Sequence, residues 1–220
     1  MAIFSDPQTQ NYWNYLDTET DVWTQYVMSG QAVSLFSISY PNYQLVTGIA
    51  DELVEASTDN GDGTWTYSVP ITEGYEWSDG SAITANDMVF TYNTAKDLGL
   101  LSNWETNYPQ GSGTDSAAEG YAQGILTLVA SDAYTVEITL NFDAGLASWQ
   151  YQIAQAPILP ESYWAQYATD RETLLAASGA DAPVASAFVY NKVEQGAFYT
   201  WTYDANTCLL YTSPSPRDVE

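Results

Sequence analysis

Two stretches with strict period-two alternation constrain the fold most. In the first, Trp65, Tyr67, Val69 and Ile71 alternate with Thr66, Ser68 and Pro70; in the second, Tyr134, Val136, Ile138 and Leu140 alternate with Thr135, Glu137 and Thr139. Successive side chains of a strand point to opposite faces, so each stretch has one apolar face to bury. The dense turn Asp59-Asn60-Gly61-Asp62-Gly63 precedes the first and predicts a hairpin with residues 52–57. An EF-hand reading of that turn fails, because Gly61 and Pro70 stand where oxygen ligands are required.

Helical signals lie between and around these strands. Asp17 or Thr18 could cap a helix with Val22, Trp23, Tyr26 and Val27 on its apolar face, ending at Gly30. Thr84-Ala85-Asn86-Asp87 is a near capping box before a helix carrying Met88, Val89, Tyr92 and Ala95. Asp143 predicts a cap for a short helix with Leu146, Trp149 and Ile153; Pro160 opens another through Tyr163, Trp164 and Tyr167. A helix over about 170–178 ends at Gly179, residues 187–203 predict two more strands, and the Gly- and Ser-rich residues 99–124 predict a long surface excursion. Mixed strands, helices and hairpins indicate an α/β or α+β chain.

Composition excludes more than it selects. The 220 residues contain 28 Asp and Glu, 4 Lys and Arg, no His and a single Cys, for a formal net charge of -24. With 45% hydrophobic and 15% aromatic residues there is enough apolar surface for a folded core. Four cations cannot line a phosphate backbone, which excludes nucleic acid, and the same deficit argues against anionic lipid. Without His there is no Ser-His-Asp or Cys-His nucleophile, and Cys208 alone makes neither a disulfide nor a Cys metal cluster. Carboxylate-only glycoside hydrolysis survives as chemistry. No apolar run approaches a membrane span, and the first residues lack the basic and apolar regions of a signal peptide. The acidity suits a saline environment.

Residues 208–220 change composition abruptly. They resemble translated sequencing-adapter read-through, which implies that the native sequence breaks off near Thr207.

Residues 48–93 resemble the signature of the family 5 extracytoplasmic solute-binding proteins, the peptide- and nickel-type substrate-binding subunits of ABC importers. Residues 48–57 are similar to the family's "lAesWevs" strand. Residues 62–69 followed by Glu76-Trp77-Ser78-Asp79-Gly80 resemble "dgltytFkLRdgvkWsDGtp", and residues 83–92 resemble "lTAeDVvfty". Pro157-Ile158-Leu159-Pro160 and Tyr203-Asp204-Ala205-Asn206 follow in the family's order, so the resemblance runs from about 35 to 206. Departures include the loss of both glycines and the proline of the "GtGPy" turn at Ala185-Ser186-Ala187-Phe188.

The resemblance implies an α/β, type II periplasmic-binding-protein-like fold limited to the N-terminal lobe and a small extra subdomain, with a mixed sheet and hairpins. Its segments would be 1–45 (start of lobe I), 46–160 (small subdomain), 161–207 (return to lobe I) and 208–220 (non-native tail). It implies a periplasmic or cell-surface, monomeric subunit that captures oligopeptides or similar solutes and passes them to permease subunits, with no cofactor, metal or catalytic residue. Solute contacts would fall on Asp17 and Thr18 beside Leu16, on Trp104, and on Gln155 and Ala156. Each has a plainer role open to it: Asp17 as a helix cap and Trp104 as a loop anchor, while Trp77 and Asp79 hold the fold. Two rivals stand beside this reading. One is an extracellular carbohydrate-active or carbohydrate-binding domain with aromatic platforms and Glu73, Glu76 and Asp79 as acids; the other is a structural surface domain.

Overall fold

The computed structural model describes residues 9–17, 24, 28, 30–39, 41–100, 103–185, 188–194 and 198–203, the last two segments as backbone. The two alternating stretches are neighbours at the centre of one sheet. Strands β3 (Thr58–Asp59), β4 (Trp65–Pro70), β5 (Ile125–Asp132) and β6 (Thr135–Leu140) form a four-stranded antiparallel sheet in the order β3-β4-β6-β5. The register sets Tyr67 opposite Ile138 and Val69 opposite Val136, all buried, while Thr66 and Thr139 meet on the other face through hydroxyls 3.0 Å apart. Helix α2 (Ala85–Asp97) covers the buried face with Met88, Tyr92 and Ala95.

The turn before β4 spends its carboxylates on itself: Asp59 accepts from Gly61 N at 2.8 Å and Asp62 from Thr64 N at 3.1 Å. Gly61 and Gly63 both sit at positive φ, where a side chain would strain the backbone. The expected hairpin partner is shorter than the sequence suggested. Residues 52–57 form no strand, and the carbonyl of Val54 instead accepts from Trp149 Nε1 at 2.6 Å. Glu52, Glu55 and Ser57 give that segment no apolar face for the sheet to hold.

Other boundaries move for equally local reasons. Residues 99–124 are not a featureless excursion: helix α3 (Asn103–Asn107) and the bridges Gln110 to Ile125 and Ser112 to Ala122 tie them down. Helix α4 (Leu146–Trp149) is capped at Gly145 rather than Asp143, and Ile153 belongs to a separate 3-10 turn, Ile153–Gln155. Pro160 is the N-cap of helix α5 (Glu161–Trp164), which stops before Tyr167, and Asp170 caps helix α6 (Arg171–Ala176) by accepting from Thr173 N at 2.8 Å. Besides α3, helix α1 (Tyr12–Asp17) and the hairpin of β1 (Phe36–Ile38) with β2 (Leu45–Thr47) have no counterpart among the expected elements. The two strands expected over residues 187–203 are β7 (Phe188–Glu194) and β8 (Phe198–Tyr203), which pair antiparallel. The helix expected after Thr18 and the tail 208–220 lie largely or wholly outside the described residues.

Asp87 joins three of these pieces. Its carboxylate accepts from Thr84 N at 2.9 Å, from Glu161 N at 2.9 Å and, at 3.5 Å, from the indole of buried Trp77. The caps of α2 and α5 and the turn at Trp77-Ser78-Asp79-Gly80 therefore share one buried anion. One turn further along α2, the Thr91 hydroxyl accepts from Leu159 N at 3.0 Å.

Burial pushes the Asp87 carboxyl above the usual carboxylate range, against the pull of those three hydrogen bonds. Stability carried by a raised folded-state value is present below the ordinary Asp range and is lost as pH rises through the shifted value. In urea titrations the wild-type chain should lose stability across that window relative to Asp87→Asn, which has no proton to lose there. Asp87→Ala should cost about 1–3 kcal/mol, because it strands buried donors.

Candidate functional site

Helix α1 is amphipathic around an aromatic wedge. Asn11 caps it, its Oδ1 accepting from Trp13 N at 2.9 Å, while its Nδ2 donates to Leu174 O at 2.7 Å and Ala177 O at 2.9 Å and so pins α1 to α6. The fit is tight: a Cβ on Gly179 would lie 2.4 Å from Gln10 O. Trp13 points inward and stacks on Trp104 of α3 with centroids 4.7 Å apart, and Trp104 Nε1 donates to Trp13 O at 3.1 Å. Trp104 lies parallel to Tyr108 at 6.3 Å, and the Tyr108 hydroxyl donates to Pro157 O at 2.7 Å. One aromatic column thus links α1, α3 and the 155–158 segment. Ile158 in turn exchanges backbone hydrogen bonds with Val33, 3.1 and 2.7 Å.

Those linked segments enclose a pocket of about 380 Å³. Tyr12, Tyr15 and Leu16 line it from α1, Ala32, Val33, Ser34 and Ser37 from the run into β1, Asn107 from α3, and Gln155 and Pro157 from the segment after the 3-10 turn. Every one of these side chains is uncharged. Tyr12 and Tyr15 meet edge to face at 5.5 Å. Burial raises both hydroxyls above the usual tyrosine value, with Tyr15 adding to the shift of Tyr12, so both are protonated donors at neutral pH. Gln155 Nε2 donates to Gln150 O at 2.9 Å and Asn107 Nδ2 to Asn103 O at 2.8 Å, which fixes both amides. The surface offers neutral hydrogen bonding beside aromatic faces, groups suited to a polar organic solute.

The three segments expected to contact solute converge here, although their side chains divide. Leu16 and Gln155 line the pocket. Asp17 is buried and ion-paired with Arg171, Ala156 is fully buried, and Trp104 is 1% exposed within the column. Thr18 lies outside the described residues. The polar lining residues not expected from the sequence are Tyr12, Tyr15, Ser34, Ser37 and Asn107. A Tyr pair spaced three apart directly after the capping Asn11 was a legible helix signal for the first two; nothing in the sequence marks the others.

The aromatic platforms of the carbohydrate rival are largely internal. Trp13, Trp77, Trp104, Trp149 and Trp164 are each no more than 1% exposed, and Trp149 stacks on buried Tyr67 at 3.7 Å. Glu73, Glu76 and Asp79 are exposed, and Asp79 accepts from Ser81 N at 3.0 Å within its own turn. Among the described residues no group of three or more Cys, Asp or Glu could hold a metal ion, and no helix is long and apolar enough to cross a membrane.

The family model for bacterial extracellular solute-binding proteins, family 5 (middle), matches residues 45–206. The chain belongs to this family. Solved structures share its fold: the oligopeptide-binding protein of Thermotoga maritima with mannohexaose bound matches with a TM-score of 0.62 at 17% identity, over 93% of this chain and 32% of that one. DppA of Helicobacter pylori in complex with the peptide STSA matches with a TM-score of 0.62 at 13% identity, over 92% and 38%. NikZ of Campylobacter jejuni in complex with Ni(L-His) matches with 0.61 at 14%, over 92% and 34%. The chain therefore has a partial type II periplasmic-binding-protein fold and spans about a third of the length of these proteins. No curated protein sequence matches it.

The column predicts different fates for two residues of this family 5 chain. Trp104→Ala should cost about 3–5 kcal/mol, because it opens a cavity between α1 and Tyr108. Gln155→Ala, at the half-exposed pocket edge, should stay within about 1 kcal/mol of wild type. Thermal unfolding monitored by near-UV circular dichroism checks both.

Proposed function

We propose that this chain forms one wall of the solute cleft in the binding subunit of an ABC importer, outside the cytoplasmic membrane, and that the solute is an oligopeptide. The uncharged pocket between α1, β1 and Gln155 carries the reading. Peptide backbone presents alternating donors and acceptors, which Ser, Asn, Gln and Tyr side chains match without a charge, and the tyrosine faces accept apolar side chains. Asp17, Trp104 and Ala156 serve this site as its frame, behind the surface that Leu16 and Gln155 present. Closure against a second lobe, a hinge motion, would retain the solute, and delivery would be to permease subunits by a monomeric protein.

A second reading, an oligosaccharide as solute, is favoured by one observation, the mannohexaose in a structure of the same fold. Titration of tryptophan fluorescence with tri- to pentapeptides and with mannohexaose separates the two. Saturable binding of peptide without turnover is expected, weakened about five- to tenfold by Tyr15→Ala. Saturation by mannohexaose and not by peptide would favour the second reading; hydrolysis of either ligand would overturn both.

A further inference from the structure

We propose that the pocket selects by charge, taking cationic oligopeptides in preference to anionic ones of the same length; this rests on the peptide reading above. Three observations on this chain converge on it. The first is supply: 4 cationic residues stand against 28 acidic ones, so the field at any surface of the chain is set by carboxylates. The second is where the cations are. Of the two with described side chains, Arg171 is spent on buried Asp17, and Lys96 sits 5.6 Å over the ring of Tyr92 and lines a neighbouring groove behind Trp104 and Tyr108 rather than the pocket itself. The third is the pocket lining itself. Its polar groups are hydroxyls and amides, all of them uncharged.

A carboxylate entering this site leaves water without gaining a counter-ion, and it does so against the repulsion of the whole surface. An ammonium or guanidinium likewise finds no counter-ion in the lining, whose hydroxyls and amides can pair with either sign, but it enters an attractive field. The neutral lining binds main chain regardless of sequence, and the acidic shell sorts side chains by sign. Steering of this kind acts on the rate of encounter as well as on affinity and is weakened by salt.

Three blocked pentapeptides that differ only at two positions (Lys, Ser or Glu) test this by calorimetry on the 220-residue chain. In about 0.05 M NaCl the Lys peptide should bind at least about tenfold tighter than the Glu peptide, and in about 0.5 M the ratio should fall to about two- to threefold as screening shortens the field. Equal or tighter binding of the Glu peptide overturns the charge selection while leaving peptide binding intact, as does a ratio that salt leaves unchanged. Failure of all three to bind overturns the peptide reading and this inference with it. Gln155→Lys supplies a positive control inside the pocket: it should raise affinity for the Glu peptide and lower it for the Lys peptide, each by about threefold or more. A variant that shifts neither affinity contradicts the placement of the solute at this wall.

Discussion

The stack of Trp13 on Trp104, continued to Tyr108, is the contact on which the site depends. Its members come from α1, from α3 and from the chain just beyond it, elements with few hydrogen bonds to one another. Two of its polar atoms still reach backbone carbonyls, Trp104 Nε1 to Trp13 and the Tyr108 hydroxyl to Pro157. Offset aromatic stacking contributes about 0.5–1.5 kcal/mol per pair beyond burial, and the hydrogen bonds fix direction. Helices as short as α1 and α3 would not persist in water alone. They hold because tertiary packing holds them, and the pocket edge at Tyr15, Asn107 and Gln155 is a consequence of that packing.

A second anchor, Asp87, plays the corresponding part on neighbouring α2, whose Phe90 and Tyr92 reach Trp13 and Tyr108 of the column at 6.1 and 5.8 Å. There the sequence is explicit. The capping residues Thr84 and Asp87 and the Trp77-Ser78-Asp79-Gly80 turn stand close together in the chain, and the structure closes them around one carboxylate. The two neighbouring anchors thus use opposite means, stacked apolar rings in one and a buried anion with three donors in the other.

What was legible in the sequence follows the range of the interactions. Strands β4 and β6 declare themselves because alternation is local, and α2 because its cap and apolar face lie within fourteen residues, Thr84 to Asp97. The family was legible through the motifs of that same region. Helix α3 was hidden among glycines and serines because only distant Trp13 gives Trp104 a reason to fold inward. The same distance explains the site. Gln155 and Leu16 could be named from chain order, whereas Ser34, Ser37 and Asn107 reach the pocket through the pairing of Val33 with Ile158 and the turn of α3, neither of which leaves a local trace. Trp104 and Ala156 belong to segments that border the pocket but face inward, a large aromatic and a small apolar residue packed behind its lining.

The most direct test of the central claim, that solute binds at the wall framed by the aromatic column, is a footprint by amide hydrogen exchange with and without a saturating peptide mixture. The account predicts slowed exchange in residues 31–38, in Asn107 and in residues 153–158, with α2 unchanged. Protection confined to α2, or absent from the three pocket segments while peptide demonstrably binds, would contradict it.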